Sequence, residues 1–345
     1  MDATTVAIDL AKDVFQIAVR DATGRVVERR RLTRPRFAAF VEMLGRETTV
    51  VMETCSSAHY WGRRCQARGA IVRLLPAQYV RAYVRRDKTD RADADALLEA
   101  DRCAAIHPVP VKTVEQQTLQ SLHRVRQQWQ TTRTARINAV RALLREQGFV
   151  FATGAKTIVP RIARLIADPD VALSPWLRAT ATVLLDELRR LHANVAALDR
   201  ELLAFARTQP TLTRLQTIPG VGVITATALL GSVPHIHAFR RGRDFASWLG
   251  LTPRESSSGQ RRVLGKISKR GDTYLRSLLV HGARAALRVA ELRTAQQQPG
   301  LSGLQRWAVA TAQRRGRNRA TVGLANKLAR IIWAVWTRDR DFATA

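Results

Sequence analysis

The sequence predicts a chain in three parts: an α/β domain over residues 1–107, a helical hairpin or coiled coil over 108–210, and a mainly α-helical domain over 211–345. Three observations carry this reading. Short apolar runs separated by turn residues fill the first third. Two long stretches free of Gly and Pro dominate the middle. The last 135 residues hold 23 basic against six acidic side chains.

In the first third, residues 4–10 (TTVAIDL) form an apolar run that ends beside an acid. Residues 14–19 follow after a turn at Lys12 and Asp13, and 24–32 after the turn Asp21-Ala22-Thr23-Gly24. Connections this short predict an antiparallel meander. Residues 36–45 place Phe37, Phe40, Val41 and Leu44 on one helical face. A buried strand over 48–52 runs into Glu53, a helix covers 58–68, and a strand over 70–75 stops at Pro76. Residues 90–102 (DRADADALLEADR) have Ala and Leu at helical spacing.

Four acids stand out in this framework. Asp9 lies inside or at the end of the first strand, Glu53 follows the fourth, and Asp90 and Asp93, spaced i, i+3, share one helix face. Four carboxylates brought together repel unless cations sit between them. An oxygen-rich set of this kind suits Mg²⁺, and a metal pair about 3.5–4 Å apart stabilises both oxygens of a phosphodiester displacement. Taken singly, each acid has a plainer role: Asp90 and Asp93 as first-turn acids favoured by the helix dipole, Glu53 as a loop carboxylate.

In the middle, Leu119, Leu122, Val125, Trp129, Ile137, Val140 and Leu144 recur through residues 114–146. Over residues 176–205, Leu177, Ala181, Leu184, Leu188, Leu191, Val195, Leu198, Leu202 and Phe205 alternate spacings of four and three, an a/d seam. Ser174 and Pro175 supply the cap and first-turn signals. Residues 148–169 read as the joint between these helices. The seam fits an intramolecular hairpin and an intermolecular coiled coil equally.

In the last third, Ile218-Pro219-Gly220-Val221-Gly222 lies between two helical patterns, as in a helix-hairpin-helix. Gly220 and Gly222 would let backbone N–H groups approach a phosphate; a structural tight turn is the alternative. Residues 239–251 (FRRGRDFASWLGL) lead to Ser256-Ser257-Ser258-Gly259, flanked by Arg254, Arg261, Arg262, Lys266, Lys269 and Arg270. This is either a flexible phosphate-binding loop or a hydroxyl nucleophile set among cations. No His near in sequence is an obvious general base.

Composition narrows the class of partner. The chain carries 57 Lys+Arg against 28 Asp+Glu, a net charge of +29, and 50 of the basic residues are Arg. Such an excess repels itself in a compact state unless a polyanion offsets it, which disfavours an enzyme for small neutral substrates. Codon usage in a GC-rich genome raises Arg over Lys but leaves the scarcity of acids unexplained. A hydrophobic fraction of 46% excludes a mostly disordered chain. Cys55, Cys65 and Cys103 match neither a zinc spacing nor a disulfide framework. No signal-peptide pattern and no run of 18 uncharged apolar residues occurs, so a cytoplasmic protein outside the membrane is expected.

These motifs together resemble the DEDD-type insertion-sequence transposases of the IS110 family, especially its IS1111 branch, members of which are described as bridge-RNA-guided serine recombinases. The matching stretches are Ala7 to Lys12, Met52 to Trp61, Pro76 to Val80, Lys88 to Ala94, Ile218 to Gly222, Phe245 to Pro253, Ser257 to Gly259 and Ile267 to Asp272. The resemblance spans nearly the whole chain. It implies an RNase H-like, RuvC-like first domain whose Asp9, Glu53, Asp90 and Asp93 hold Mg²⁺ or Mn²⁺, a coiled-coil linker, and a C-terminal transposase domain. The serine before Gly, matched best by Ser258 with Ser257 as its neighbour, would form a serine–phosphate link to DNA. It further implies double-stranded donor and target DNA, a structured non-coding bridge RNA, and a homo-oligomer, dimer to tetramer, in which serine and acids come from different subunits. Gln260 stands where relatives often have Gly. Beside a DNA recombinase, the residues leave room for a metal-dependent structure-specific nuclease acting through water, and for a non-catalytic nucleic-acid binder.

Overall fold

A computed structural model of the chain describes residues 5–83, 90–151 and 154–343, without the side chains of residues 90–92, 155 and 156. Two compact units divide it, Met1–Gln117 and Thr118–Ala345.

The first unit is built on strands β1 (Thr5–Asp9), β2 (Val14–Arg20) and β3 (Val26–Thr33), helix α1 (Arg34–Glu42), strand β4 (Thr49–Glu53), helix α2 (Ala58–Ala67), strand β5 (Ile71–Leu75), and helices α3 (Ala77–Val80) and α4 (Asp90–Asp101). The sheet order is β3-β2-β1-β4-β5. The meander β1-β2-β3 is antiparallel, while β4 and β5 join β1 in parallel. Parallel pairing needs crossover helices, and α2 supplies one between β4 and β5.

Period-two alternation sorts the strand side chains into two cores. Val6, Ile8, Phe15, Ile17, Val50 and Met52 pack with Phe37, Val41 and Trp61 of α1 and α2. Phe15 stacks on Phe37 at 4.2 Å, and the Trp61 ring meets Phe37 edge-on at 4.7 Å. Ala7, Ala18, Val51 and Leu75 face the opposite way, onto Ala94, Leu97 and Leu98 of α4. The small residues on that face let α4 lie close to the sheet. Buried Asp101 anchors its last turn, with Arg73 Nε at 2.9 Å and Arg20 Nη2 at 3.4 Å.

Helix α5 (Val114–Arg145) leads into the second unit, which holds α6 (Ala155–Ala167), α7 (Pro175–Arg207), α8 (Pro210–Gln216), α9 (Val223–Ser232), α10 (Gly242–Trp248), strands β6 (Pro253–Glu255) and β7 (Leu264–Ile267), α11 (Thr273–Ala295), α12 (Gly303–Arg315) and α13 (Arg317–Arg338). Helices α5 and α7 run antiparallel: Arg126 pairs with Asp199, and Arg136 with Glu187 at 2.6 Å. Ser174 caps α7 by accepting the Leu177 N–H at 3.3 Å.

The expected joint over 148–169 is not bare loop. It contains α6, whose Ile158 and Ile162 pack with Ile137, Val140 and Leu144 of α5 and with Leu185 and Leu188 of α7. The heptad seam of α7 is thereby buried within one chain. Its innermost residues are Leu185 and Ala206 where the strict heptad names Leu184 and Phe205, because a helix of 3.6 residues per turn drifts from a 3.5 repeat.

A buried polar chain ties α5, α7, α9 and α11 together. His123 lies between Tyr274 Oη and Thr227 Oγ1, each 3.0 Å from a ring nitrogen. The Thr227 hydroxyl donates to Val223 O at 2.7 Å, so it accepts from Nε2–H. Nδ1 of the neutral ring then accepts from Tyr274. Burial first, and the Arg126 charge second, push His123 down to about 4, against the opposing field of Asp199.

Candidate functional site

The first unit brings acids together at the C-terminal ends of two central strands of its sheet. Asp9 and Glu53 end neighbouring parallel strands, with Ile8 opposite Met52 one residue earlier. Alternation puts both carboxylates on the face of Ala7 and Val51, the face that α4 covers. Adjacent strands lie about 4.8 Å apart, so the two side chains leave the sheet as near neighbours. Their fields meet at Cys55, an exposed residue whose thiol is pushed up to about 11, first by the protein atoms crowding one side of the sulfur, then by Glu53 and Asp9.

Helix α4 packs against β1, β2 and β4, and its first turn carries Asp90 and half-buried Asp93. The side chain of Asp90 lies outside the described residues. Among the described residues no group of three or more His, Cys, Asp or Glu side chains converges on one point. Strand pairing thus juxtaposes Asp9 and Glu53, and among the described residues Asp93 does not join them as a third converging side chain.

The second unit displays the serine cluster on a β-hairpin. β6 and β7 pair antiparallel, and the ladder continues to the tip, where Ser258 and Arg261 exchange both backbone hydrogen bonds at 3.2 and 3.1 Å. Gly259 at φ +55 takes the first central turn position, the pattern of a II′ hairpin turn, and Gln260 takes the second. Gln260 suits its place, because of the two central residues only Gly259 has positive φ.

The neighbouring serines differ in what they bond. The Ser257 hydroxyl donates to Glu255 Oε1 at 2.8 Å and accepts the Val263 N–H at 3.2 Å, so it is consumed in holding the hairpin. That bond first, and Arg262 second, keep the Glu255 carboxyl below its usual range. The Ser258 hydroxyl is exposed and makes no such bond among the described residues.

The hairpin base is tightly seated. A Cβ on Gly250 would lie 2.1 Å from Arg270 O, and one on Gly271 would lie 1.9 Å from Trp248 O. Asn326 Nδ2 and Arg276 Nη1 hold the carbonyls of Leu251 and Leu249 at 3.1 and 3.2 Å. Of the flanking cations, Arg254 bonds Ser268 O and Arg262 bonds Glu255. Arg261, Lys266, Lys269 and Arg270 are exposed and form no ion pair among the described residues.

Gly220 and Gly222 part company. Gly220 has φ +88, and a Cβ there would meet Gly282 O of α11 at 2.5 Å; a Cβ on Gly282 would in turn meet Gly220 O at 2.0 Å. Gly220 thus serves a close approach of the turn to α11. Gly222, at the N-cap of α9 and exposed, with nothing within 4 Å, is the glycine whose surroundings leave room for a ligand. Sequence reasoning missed two features: the Cys55 thiol beside the carboxylates, and a cationic cleft between α10 and α13. The latter had one signal, that α12 and α13 contain no Asp or Glu.

A profile of the "Transposase IS116/IS110/IS902 family" matches residues 212–298, and a DEDD-type IS110 transposase profile matches residues 6–148. The chain is 41% identical over 340 residues to a probable family 20 transposase of Pseudomonas aeruginosa, covering 98% of each. It is 40% identical to the transposase for insertion sequence element IS1111A of Coxiella burnetii, covering 99% of this chain and 92% of that one. It is 33% identical to the transposase for insertion sequence element IS1328 of Yersinia enterocolitica, covering 99% of each.

Proposed function

The chain belongs to the IS110 family of insertion-sequence transposases, and from that premise we propose that it cuts and rejoins DNA through a covalent bond to Ser258. The family makes it a DNA transposase, and its DEDD-type domain implies a divalent cation. The observation that carries the serine reading is the contrast at the hairpin tip: Ser257 is bonded on both sides, and Ser258 presents its hydroxyl among cations.

The donor set fits a hard cation. Two carboxylates leave adjacent strand ends on one face, and both are felt at Cys55. Asp9, Glu53, Asp90 and Asp93 would hold Mg²⁺ or Mn²⁺. When bound, such an ion neutralises charge on the phosphoryl oxygens and lowers the cost of ionising a hydroxyl. Ser258 Oγ loses its proton to water as it bonds to phosphorus. One bridging P–O bond breaks and leaves a DNA hydroxyl. Attack of a second DNA hydroxyl on the serine phosphate restores Ser258 and rejoins the strand. Arg261 and Lys266 on the hairpin offset the phosphate charge throughout.

The same reading includes an RNase H-like, RuvC-like first domain, supported by the β3-β2-β1-β4-β5 order with its mixed pairing. It includes the division at 107 and 210, a cytoplasmic site of action, and an oligomer, dimer to tetramer, in which serine and acids come from different subunits. It also includes guidance by a structured RNA from the element. Among the described residues no helix is long and apolar enough to cross a membrane.

The test is to incubate the purified protein and its co-purified RNA with element-end DNA and Mg²⁺, denature, and look for a protein–DNA adduct. The adduct is expected in wild type and absent in Ser258→Ala and Asp9→Ala. Cleavage that survives Ser258→Ala would replace this mechanism with that of a metal-dependent nuclease. Sequencing the co-purified RNA should recover one structured species from the element's non-coding flank; a random cellular sample would refute the guidance.

A further inference from the structure

The second unit contains a cationic cleft of about 480 Å³ between α10 and α13 that the serine chemistry does not use. Arg241 and Arg243 line it from the start of α10, and Lys327, Arg330 and Trp333 from α13. The backbones touch at its floor: a Cβ on Gly242 would lie 3.1 Å from both Cα and O of Arg330. This close approach draws the arginines of both elements to one place. Trp333 Nε1 donates to Phe239 O at 2.9 Å and pins the segment entering α10 to α13. Lys327 Nζ sits 4.3 Å above the Trp307 ring, so its ammonium is positioned without a carboxylate.

The charge balance here is lopsided. Among the described residues, Asp244, 3.6 Å from exposed Arg241, is the one acid paired with any of the four cations. Arg243, Lys327 and Arg330 form no ion pair among the described residues, and α12 and α13 contain no acid to supply one. Like charges held together by packing cost stability unless an anion completes the site. Leu304, Ile331, Ala334 and Trp333 give the walls mostly apolar surface, and the charged groups set into it are the donors of Arg241, Arg243, Lys327 and Arg330, the chemistry that grips phosphate oxygens and does not read base edges.

The geometry points to this cleft as a second phosphodiester seat, gripping the backbone of the double-stranded DNA on which the transposase acts, apart from the Ser258 hairpin. It rests on the reading of the chain as a DNA transposase only for the identity of the ligand. Its role is affinity and register, with sequence discrimination left to other groups.

The test uses the full chain, in EDTA so that no strand is cut, and a labelled duplex of random sequence, with anisotropy titrations across a range of salt. Arg243→Ala, Lys327→Ala and Arg330→Ala combined should flatten the log–log salt slope by at least about 0.9, the contribution of one phosphate left without its cations, and by about 2.7 where each cation holds its own phosphate along the backbone. Asp244→Asn should tighten DNA binding about 2-fold to 3-fold, as one more effective phosphate neutralisation would at moderate salt, a gain that misfolding cannot mimic. A salt slope unchanged in the triple variant, with wild type binding normally, overturns the seat and leaves the transposase reading intact. Weakened binding to an RNA duplex with DNA binding untouched overturns the assignment to DNA. A wild type that binds no duplex DNA overturns both.

Discussion

Lowering the pH should loosen the second unit through one residue, His123. In the unfolded chain its imidazole titrates near 6.5, whereas in the fold it resists protonation down to about 4. Between these values the unfolded state binds more protons, so stability falls as pH falls from 6.5 to 4 and is fully present above 6.5. At 1.36 kcal/mol per pH unit the full span is about 3 kcal/mol, and descent to pH 5 removes about 2 kcal/mol. For a unit of this size that is a drop in melting temperature of about 4–8 °C. The groups facing the ring are Arg126, Tyr274, Thr227 and Asp199. His123→Phe keeps a ring in the space, leaves Thr227 bonded to Val223 O, and has nothing to titrate. The assay is thermal unfolding of wild type and variant at pH 7.5, 6, 5 and 4.5. The variant should start lower, having lost two buried bonds, and show a shallower pH slope. His59, also pushed down to about 4, contributes equally to both proteins and cancels. Parallel slopes would refute a buried neutral imidazole at this position.

Gly220→Ala should lower the melting temperature strongly, because its Cβ meets Gly282 O at 2.5 Å in a left-handed conformation costing about 1–2 kcal/mol by itself, while Gly222→Ala should not; equal melting of the two variants would refute the close approach. Leu188→Asp should unfold the second unit, since Leu188 is fully buried among α5, α6 and α7; light scattering that found folded, dissociated protomers would return the seam to an inter-subunit role. Alkylation of Cys55 at pH 8, followed by mass spectrometry, should be slow in wild type and faster in Asp9→Asn and Glu53→Gln, because removing either negative charge favours the thiolate. Unchanged Cys55 rates would separate the thiol from the carboxylates.

Much of the first unit was legible because its strands are short and divided by unambiguous turns. Asp21 shows why: its Oδ1 accepts the backbone N–H groups of Thr23 and Arg25 at 2.9 and 3.0 Å, an interaction encoded entirely within the turn. Helix α6 was hidden for the opposite reason. Gly154 and internal Pro160 advertise a loop, while the force that makes the helix, Ile158 and Ile162 against α5 and α7, comes from residues distant in sequence. The a/d seam of α7 specified an apolar face but not its partner. α6 supplies part of that partner, and the antiparallel pairs Arg126–Asp199 and Arg136–Glu187 settle the direction of α5.

The serine cluster marks the boundary of what residue spacing can decide. Ser257 and Ser258 have the same chemistry and adjacent places, and only the hairpin register separates them. Because side chains alternate along a strand, a shift of one residue would exchange the bonded hydroxyl for the presented one. The register is fixed by Gly259 in the turn and by the seating of Gly250 and Gly271 at the base, so these glycines determine which hydroxyl is presented without touching it. The same logic applies to the net charge of +29. Some arginines are committed inside the fold, as Arg20 and Arg73 are to Asp101 and Arg126 is to Asp199. Others, such as Arg243 and Arg330, are held by packing where, among the described residues, no carboxylate answers them. Composition counts the two kinds alike. Only the second kind remains available to a phosphate, so the salt dependence of DNA binding should track those residues and not the total.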